Sequence, residues 1–268
     1  MKHDHFEQEV PEGGYDTVGN LLSIITKDPN TQELSLYSYD YLHQLTQEKG
    51  HANHDYAHDS LYNRRKLDDK NYTVNSLHSL LTDSKNNYTY DPFGNRTLKQ
   101  SDTETTRYTY DALDRMTCFE VENTLKVLYS YDAFHRRTKK TTFTYSDGNW
   151  QQEKEERFLY IDDREIGMVN EENTICQLRI LGEGFGAEIG ASVAFEINDA
   201  LYVPLHDHRG NVTALLDGDN GNIVESYRYS SFGVETIYDN NGNVIPKSLV
   251  NNPWRFSSKR TDSESGCV

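Results

Sequence analysis

One five-residue pattern constrains this chain more than any other feature. Tyrosine followed by aspartate, or by a close relative, recurs along the sequence, and the positions after it obey a rule. The copies are Tyr15-Asp16-Thr17-Val18-Gly19, Tyr39-Asp40-Tyr41-Leu42-His43, Tyr90-Asp91-Pro92-Phe93-Gly94, Tyr110-Asp111-Ala112-Leu113-Asp114 and Tyr131-Asp132-Ala133-Phe134-His135, then Tyr229-Ser230-Ser231-Phe232-Gly233 with serine for aspartate. The fourth residue is always apolar. The fifth is glycine, histidine or aspartate, types that tolerate a positive φ or are enriched there. An aspartate opens a turn by accepting the backbone N–H two residues on. Pro92 pre-sets φ at the next position, and Gly94 supplies the positive φ that closes a type I turn with a bulge. Tyr88 and Tyr90, two apart, share one face of a strand. The pattern predicts a β-hairpin, and its repetition predicts an all-β fold of tandem strand–turn–strand units.

The spacing supports this. From Tyr39 through Tyr56, Tyr72, Tyr90 and Tyr110 to Tyr131 the steps are 17, 16, 18, 20 and 21 residues, about two short strands and two turns each. Tyr56 with Tyr62-Asn63-Arg64, and Tyr72 with Asn75 and His78, read as degenerate copies. Alternating segments such as 105–110 and 126–131 read as half-buried strands. The charged run Gln151–Arg157 reads as a solvated strand or loop, since its flanks are strands, with a short helix as the competing reading. Further turns are expected at Arg209-Gly210-Asn211, Asp217–Asn222, Ser230–Gly233 and Asn240–Asn243. The domain reading is a disordered acidic N-terminus over 1–12, repeats over 13–200 and a distinct closing region over 201–268.

Composition narrows the fold and the partners. The apolar fraction is 35% and mean hydropathy −0.83, low for a compact α/β enzyme. The 19 tyrosines and 10 phenylalanines compensate, because aromatics bury large areas while keeping a polar end and they suit strands. A thin tyrosine-rich sheet follows, and disorder is disfavoured. A formal charge of −16 argues against nucleic acid and anionic membranes as partners of the whole surface. The basic runs Arg64-Arg65-Lys66, Arg136-Arg137 and Lys139-Lys140 read as solvated strand ends. Cys118, Cys176 and Cys267 are odd in number and far apart, so they read as unpaired thiols. No apolar run suits a signal peptide or a membrane-spanning helix.

Several clusters invite chemical readings. His51, His54 and His58, with Asp55 beside them, would share a helical face as a zinc site needs; a polar loop competes. His206 and His208 flank Asp207 and could converge from one face of a strand as base or metal ligands. Asp217, Asp219 and Asn222 space oxygens like a calcium loop, but Arg228 stands where an EF-hand needs glutamate; a hairpin turn is the simpler reading. Gly182-x-Gly184-x-Gly186 resembles a nucleotide loop without the full spacing or a βαβ context, so bends between strands are expected. His43 and His135 fall in the positive-φ slot and read as backbone fillers. No catalytic constellation can be assigned, so the chain is read as a non-enzyme with no cofactor and no metal.

The copies at Tyr90, Tyr110 and Tyr131, the last two followed by Arg115 and Arg136, resemble the Rhs/YD-repeat family, whose repeat is Tyr-Asp-x-x-Gly-Arg. The stretch Asp207-His208-Arg209-Gly210-Asn211 through Tyr229 to Gly233, then Asn252-Pro253-Trp254-Arg255-Phe256, is similar to the opening of the Rhs-associated core. The resemblance runs from about residue 13 to the end. It implies a β-sheet ribbon spiralling into a hollow shell, as in bacterial Rhs toxins, Tc toxin cocoons and teneurins, in a secreted or cell-surface product. The implied partners are the remainder of the shell and a C-terminal toxin domain. The family continues past this point with an Asp-Pro-x-Gly-Leu self-cleavage segment and a toxin; the sequence stops at Val268, so neither activity is carried over and the shell is expected to be partial. The repeat slots assigned on this reading are Tyr15, Asp16, Gly19, Tyr39, Asp40, Tyr90, Asp91, Gly94, Tyr110, Asp111, Arg115, Tyr131, Asp132, Arg136, Tyr229 and Gly233. The aromatic slots are expected to build the wall, and the aspartate and glycine slots the turns. Two other classes compete: a tyrosine-rich face that binds cell-surface glycans, and a histidine-based metal hydrolase.

Overall fold

The computed structural model describes residues 2–3, 6–28, 32–182 and 192–266. Strands make up 56% of the chain. Among the described residues there is no α-helix, and the sole helical turn is the 3-10 segment Phe256–Ser258. The chain divides into two compact units. One comprises Met1–Tyr62 with Arg179–Val268, the other Asn63–Leu178. Neither break falls at residue 200, where the sequence suggested a change of region.

In the unit Asn63–Leu178, each strand from Leu80–Thr82 to Arg164–Val169 pairs antiparallel with the next in chain order. Alternation sets the faces. Along Thr105–Tyr110, Thr106 and Tyr108 are buried while Arg107 and Thr109 are exposed. Tyr108 stands opposite Phe119, and Phe119 opposite Val127. With Tyr129 they form the unit's core, and the Tyr108 and Phe119 rings meet edge-on at 5.7 Å, a favourable arrangement for the ring quadrupoles. The charged run lies in the strand Asn149–Ile161. One of the adjoining lysines is not solvated: Lys140 is 5% exposed and bonds Glu156 at 2.8 Å, while the half-exposed Lys139 bonds Glu155 at 3.2 Å. The strand register places Glu156 directly opposite Lys140, which is what burial of an ammonium requires. Arg137 lies over the Tyr129 and Phe158 rings.

The other unit is built from both ends of the chain. Its N-terminal strands Phe6–Glu9, Ser23–Lys27, Gln32–Tyr39, Leu45–Lys49 and His54–His58 pair in order. Residues 6–9 therefore do not belong to a disordered tail. Phe6 is buried under the guanidinium of Arg228, which supplies the apolar burial that an acidic terminus otherwise lacks. The later strands Ala200–His206, Val212–Asp217, Ile223–Tyr229 and Glu235–Asp239 pair in the same manner. Their core of Phe195, Ile197, Val212, Leu215 and Tyr227 is closed by Trp254, which sits on Phe195 at 4.9 Å. Trp254 arrives on an irregular tail. The Val212 amide donates to the Arg255 carbonyl at 3.0 Å, and Asn252 donates to the Tyr227 hydroxyl and accepts from the Trp254 amide.

Candidate functional site

The repeat turns are the one arrangement that this chain builds again and again. At Asp91, Oδ1 accepts the amides of Phe93 and Asn95, both at 2.9 Å. The Gly94 amide donates to the Asp91 carbonyl at 3.1 Å, and the Asp91 amide donates to Asn95 O. Gly94 has φ +91°, and the strand register shifts between Thr89 and Tyr90. The result is a turn with a bulge whose backbone donors a single carboxylate satisfies.

The same geometry recurs with different side chains. Asp16 takes the amides of Val18 and Asn20, and Asp40 those of Leu42 and Gln44. Asp111 takes those of Leu113 and Arg115, and Asp132 those of Phe134 and Arg136. At the fourth turn position φ is +93° at Gly19, +62° at His43, +58° at Asp114, +63° at His135 and +80° at Gly233. Where Ser230 replaces aspartate, its hydroxyl accepts only the Val234 amide.

The degenerate copy expected at Asn75 is present: Asn75 takes the amides of Leu77 and Ser79. The turns expected at 209–211 and 240–243 prove to be further members, with Asp207 taking the amides of Arg209 and Asn211 and Asp239 those of Asn241 and Asn243. Sequence reasoning missed Asn170, which takes those of Glu172 and Thr174. The operative signal is Asp or Asn followed three residues later by Gly, Asn, His or Asp. Tyr238-Asp239 even carries the tyrosine, but polar Asn241 fills the slot that is apolar in the Tyr-Asp copies.

Successive turns are tied together by two devices. The first is the tyrosine before the aspartate. Tyr90 donates its hydroxyl to Leu80 O at 2.8 Å, Tyr110 to Arg96 O at 3.1 Å, Tyr131 to Met116 O at 2.8 Å and Tyr229 to Val212 O at 2.9 Å. In each case the acceptor lies just past the preceding turn. The second device is the residue that ends the turn. Asn95 reaches Asp114 Oδ1 at 2.7 Å, and Arg115 reaches Asp132 O at 2.9 Å. Arg115 and Arg136 also bond their own turn aspartates at 2.7 Å, and Arg115 lies over the Tyr131 ring.

These contacts set the electrostatics. The Arg115 side chain holds the Asp111 carboxyl below its ordinary value; burial opposes it, and the backbone amides of Arg115 and Leu113 add to the lowering. At Asp91 burial works to raise the value, and the Asn95 side chain with the amides of Asn95, Phe93 and Gly94 outweighs it, so the net direction is down. Each bond favours the charged form.

The apolar slot does not build the wall. Phe93 is 82% exposed, Leu77 and Phe134 77% each, and Leu113 58%. Two residues past the clamping side chain, the slot sits at the tip of the turn, beyond the sheet. The buried face of the sheet is made instead by the strand tyrosines Tyr88, Tyr108 and Tyr129.

The histidine clusters take other forms. His54 and His58 lie in the strand His54–His58, so neither the helix nor the loop expected there is present. They flank the Tyr56 ring at 5.9 and 6.5 Å, and Phe232 packs on Tyr56 at 4.8 Å. His51 lies outside that strand, against Tyr238. His208 contacts the Gln8 side chain, while Asp207 between the two histidines is the clamp of a repeat turn. Asp217 Oδ1 accepts the amides of Asp219 and Asn220, which commits it to a hairpin. Among the described residues, no group of three or more His, Cys, Asp or Glu side chains is placed to hold a metal ion. Gly184 and Gly186 of the glycine-rich stretch, and Cys267, lie outside the described residues; Cys118 and Cys176 are free thiols. No helix is long and apolar enough to cross a membrane among the described residues.

Two buried carboxylates had no sequence signal. Glu48 accepts the Tyr56 hydroxyl and both the amide and the hydroxyl of Ser231, joining segments far apart in sequence. Glu225 accepts the Tyr227 and Ser248 hydroxyls and the Leu249 amide. Burial, then the Glu225 charge, push the Tyr227 phenol well above its ordinary value.

No family model matches the chain, and no curated protein matches it. Among solved structures it is similar to the crystal structure of TcdB2-TccC3, at 15% identity and a TM-score of 0.48, over 96% of this chain and 16% of that one. TcdB2-TccC3-TEV gives 16% identity and a TM-score of 0.47 over the same shares. TcdB2-TccC3-Cdc42 gives 15% and 0.39, over 96% of this chain and 18% of that one. The chain thus spans about a sixth of the length of the structures that it matches. A likeness of this size assigns neither family nor role.

Proposed function

We propose that this chain is a structural wall segment of a YD-repeat shell, in a secreted or cell-surface toxin or related surface protein. The observation that supports this reading is the recurrence of one turn. The copies clamp their own backbone with an Asp or Asn side chain, or with Ser230 in one case, and several reach back to the previous copy through a tyrosine hydroxyl. Such a device adds repeats in one direction and uses each as the template for the next, as an extended wall requires. On this reading the histidines serve packing and turn geometry, the chain carries out no reaction of its own, and it needs no cofactor. Its partners are further shell segments and an enclosed C-terminal effector.

The test is recovery of the native product from its source cells with antibodies raised against residues 63–178, followed by limited proteolysis and mass spectrometry. The reading expects a polypeptide longer than 268 residues, or a tight complex, in which a separate domain survives protease until the wall is denatured. A product confined to these residues, with no protected companion, contradicts it.

A further inference from the structure

The exposed apolar slot has no role in the wall, and its repetition calls for an explanation. Leu77, Phe93, Leu113 and Phe134 stand at the third position of four successive turns, beginning at Asn75, Asp91, Asp111 and Asp132. The last three lie side by side, because Asn95 bonds Asp114 and Arg115 bonds the Asp132 carbonyl, and the Tyr90 hydroxyl ties the first to the second by donating to Leu80 O, just past the Asn75 turn. Four large apolar side chains thus form a row along one edge of the unit Asn63–Leu178. Singly exposed apolar residues need no explanation, but a contiguous row marks an interaction surface.

Spacing and charge select the occupant. Neighbouring turns are separated by two strands, roughly 9.5 Å. One heptad of α-helix advances about 10.5 Å, so a helix laid along the edge presents its apolar stripe in near register with the row. Between the Asp91 and Asp111 turns lies a groove of about 500 Å³ lined by Phe93, Thr97, Tyr108, Tyr110, Asp111 and Asp114. Its floor is aromatic and its lip is acidic. The edge cations Arg115 and Arg136 are already bonded to their own turn aspartates. Asp114 is exposed and engages the Asn95 amide through one oxygen. The unit Asn63–Leu178 carries 20 Asp and Glu against 17 Lys and Arg, a small negative excess that favours a cationic partner over an anionic one.

We propose that this edge is a docking surface for a basic amphipathic helix of a partner protein, with apolar residues seated between the Phe93, Leu113 and Phe134 side chains and a lysine or arginine against Asp114. The proposal is independent of the wall function, since it concerns the outer tips of the turns and not the sheet.

The test is fluorescence anisotropy of the full chain with three synthetic peptides of about three heptads, in roughly 0.15 M salt. The first carries Leu at the two apolar heptad positions and Lys elsewhere. The second replaces every Leu by Ser, and the third replaces every Lys by Glu. The first peptide is expected to bind and the other two to bind at least tenfold more weakly. Phe93→Ser with Phe134→Ser weakens the first peptide at least tenfold, Asp114→Asn weakens it a few-fold, and Leu201→Ser in the other unit leaves it unchanged. Thermal melts of the variants check folding; if the double variant melts early, Phe93→Ser alone carries the comparison. Failure of the first peptide to bind, equal binding of the Ser peptide, or binding that ignores the phenylalanines overturns the proposal. Self-association of the wild type that the double variant abolishes also overturns it, by making a second copy the occupant.

Discussion

The two units use the same turns and reach different depths of burial. In Asn63–Leu178 the core is one face of a sheet. Val127 is wholly buried there, while its neighbours Tyr110, Met116, Val121 and Tyr131 are only partly covered. In the other unit an irregular tail crosses the sheet, and Phe195, Val212, Leu215, Tyr227 and Trp254 are all excluded from solvent. The comparison separates two tasks. The clamped turns and tyrosine staples fix strand order and register, and they do so with mostly half-buried aspartates. Depth requires an additional layer, and here Trp254 supplies it, held by Asn252 and by the hydroxyls gathered on Glu225. Polar groups this deeply buried cost free energy unless fully bonded. The tail is therefore both the lid of the core and the partner that makes Glu225 tolerable.

The largest expected effect falls on the lid. Trp254→Ala removes the side chain that closes the core and should cost about 3–5 kcal/mol, read as the urea midpoint of far-ultraviolet circular dichroism. An effect below about 1 kcal/mol would show that the tail is a passive cover, and the contrast between the units would fail. Next comes the turn backbone. Gly94 has φ +91° and no atom within 4 Å of an added Cβ, so the first atom of a side chain meets open space and Gly94→Val chiefly tests backbone strain. It should destabilise by about 1–3 kcal/mol, while His54→Ala should cost less. Because Trp150 belongs to one unit and Trp254 to the other, fluorescence of single-tryptophan variants assigns each loss to its unit. Gly94→Val should move the Trp150 transition. Smaller again is the staple: Tyr110→Phe deletes the bond to Arg96 O and should cost about 1 kcal/mol, whereas Tyr15→Phe, exposed at the start of the array, should change little. The smallest effect per site, though shared by many sites, is the response to acid. The turn aspartates, Asp16, Asp91, Asp111, Asp132 and Asp239 among them, have folded values held below the ordinary one. Each contributes stability that is complete above the unfolded value of about 4 and is lost as pH falls through the folded value. Stability should therefore be level above about pH 5 and decline below about pH 4. A midpoint unchanged down to pH 3 would remove the clamps from the account.

Much of this was legible in the sequence, for a definite reason. Asp91, Pro92 and Gly94 lie within four residues of one another, so the turn they make is a local matter of side-chain reach and φ. The alternation in 105–110 likewise set a face before any partner was known. The members at Asn75, Asn170, Asp207 and Asp239 were hidden or only glimpsed because the tyrosine and the apolar residue were taken as part of the rule. The clamp needs neither. The strand at Phe6–Glu9, the lid at Trp254 and the pair Lys140–Glu156 were not legible because each depends on a partner elsewhere in the chain. The acidic edge groove was also out of reach. Sequence marked Phe93 and Leu113 as apolar, and only their position at the tips of adjacent turns showed that the sheet does not cover them.

The central claim is that one side chain organises each turn and that the turns are linked in series. Amide hydrogen exchange in Asp91→Ala tests it most directly. The account predicts that the amides of Phe93 and Asn95 lose protection by the largest factor, that those of Leu113 and Arg115 in the following turn lose less, and that Val127 in the core keeps its protection. Unchanged protection at Phe93 and Asn95, or a uniform loss across the whole unit, would contradict it.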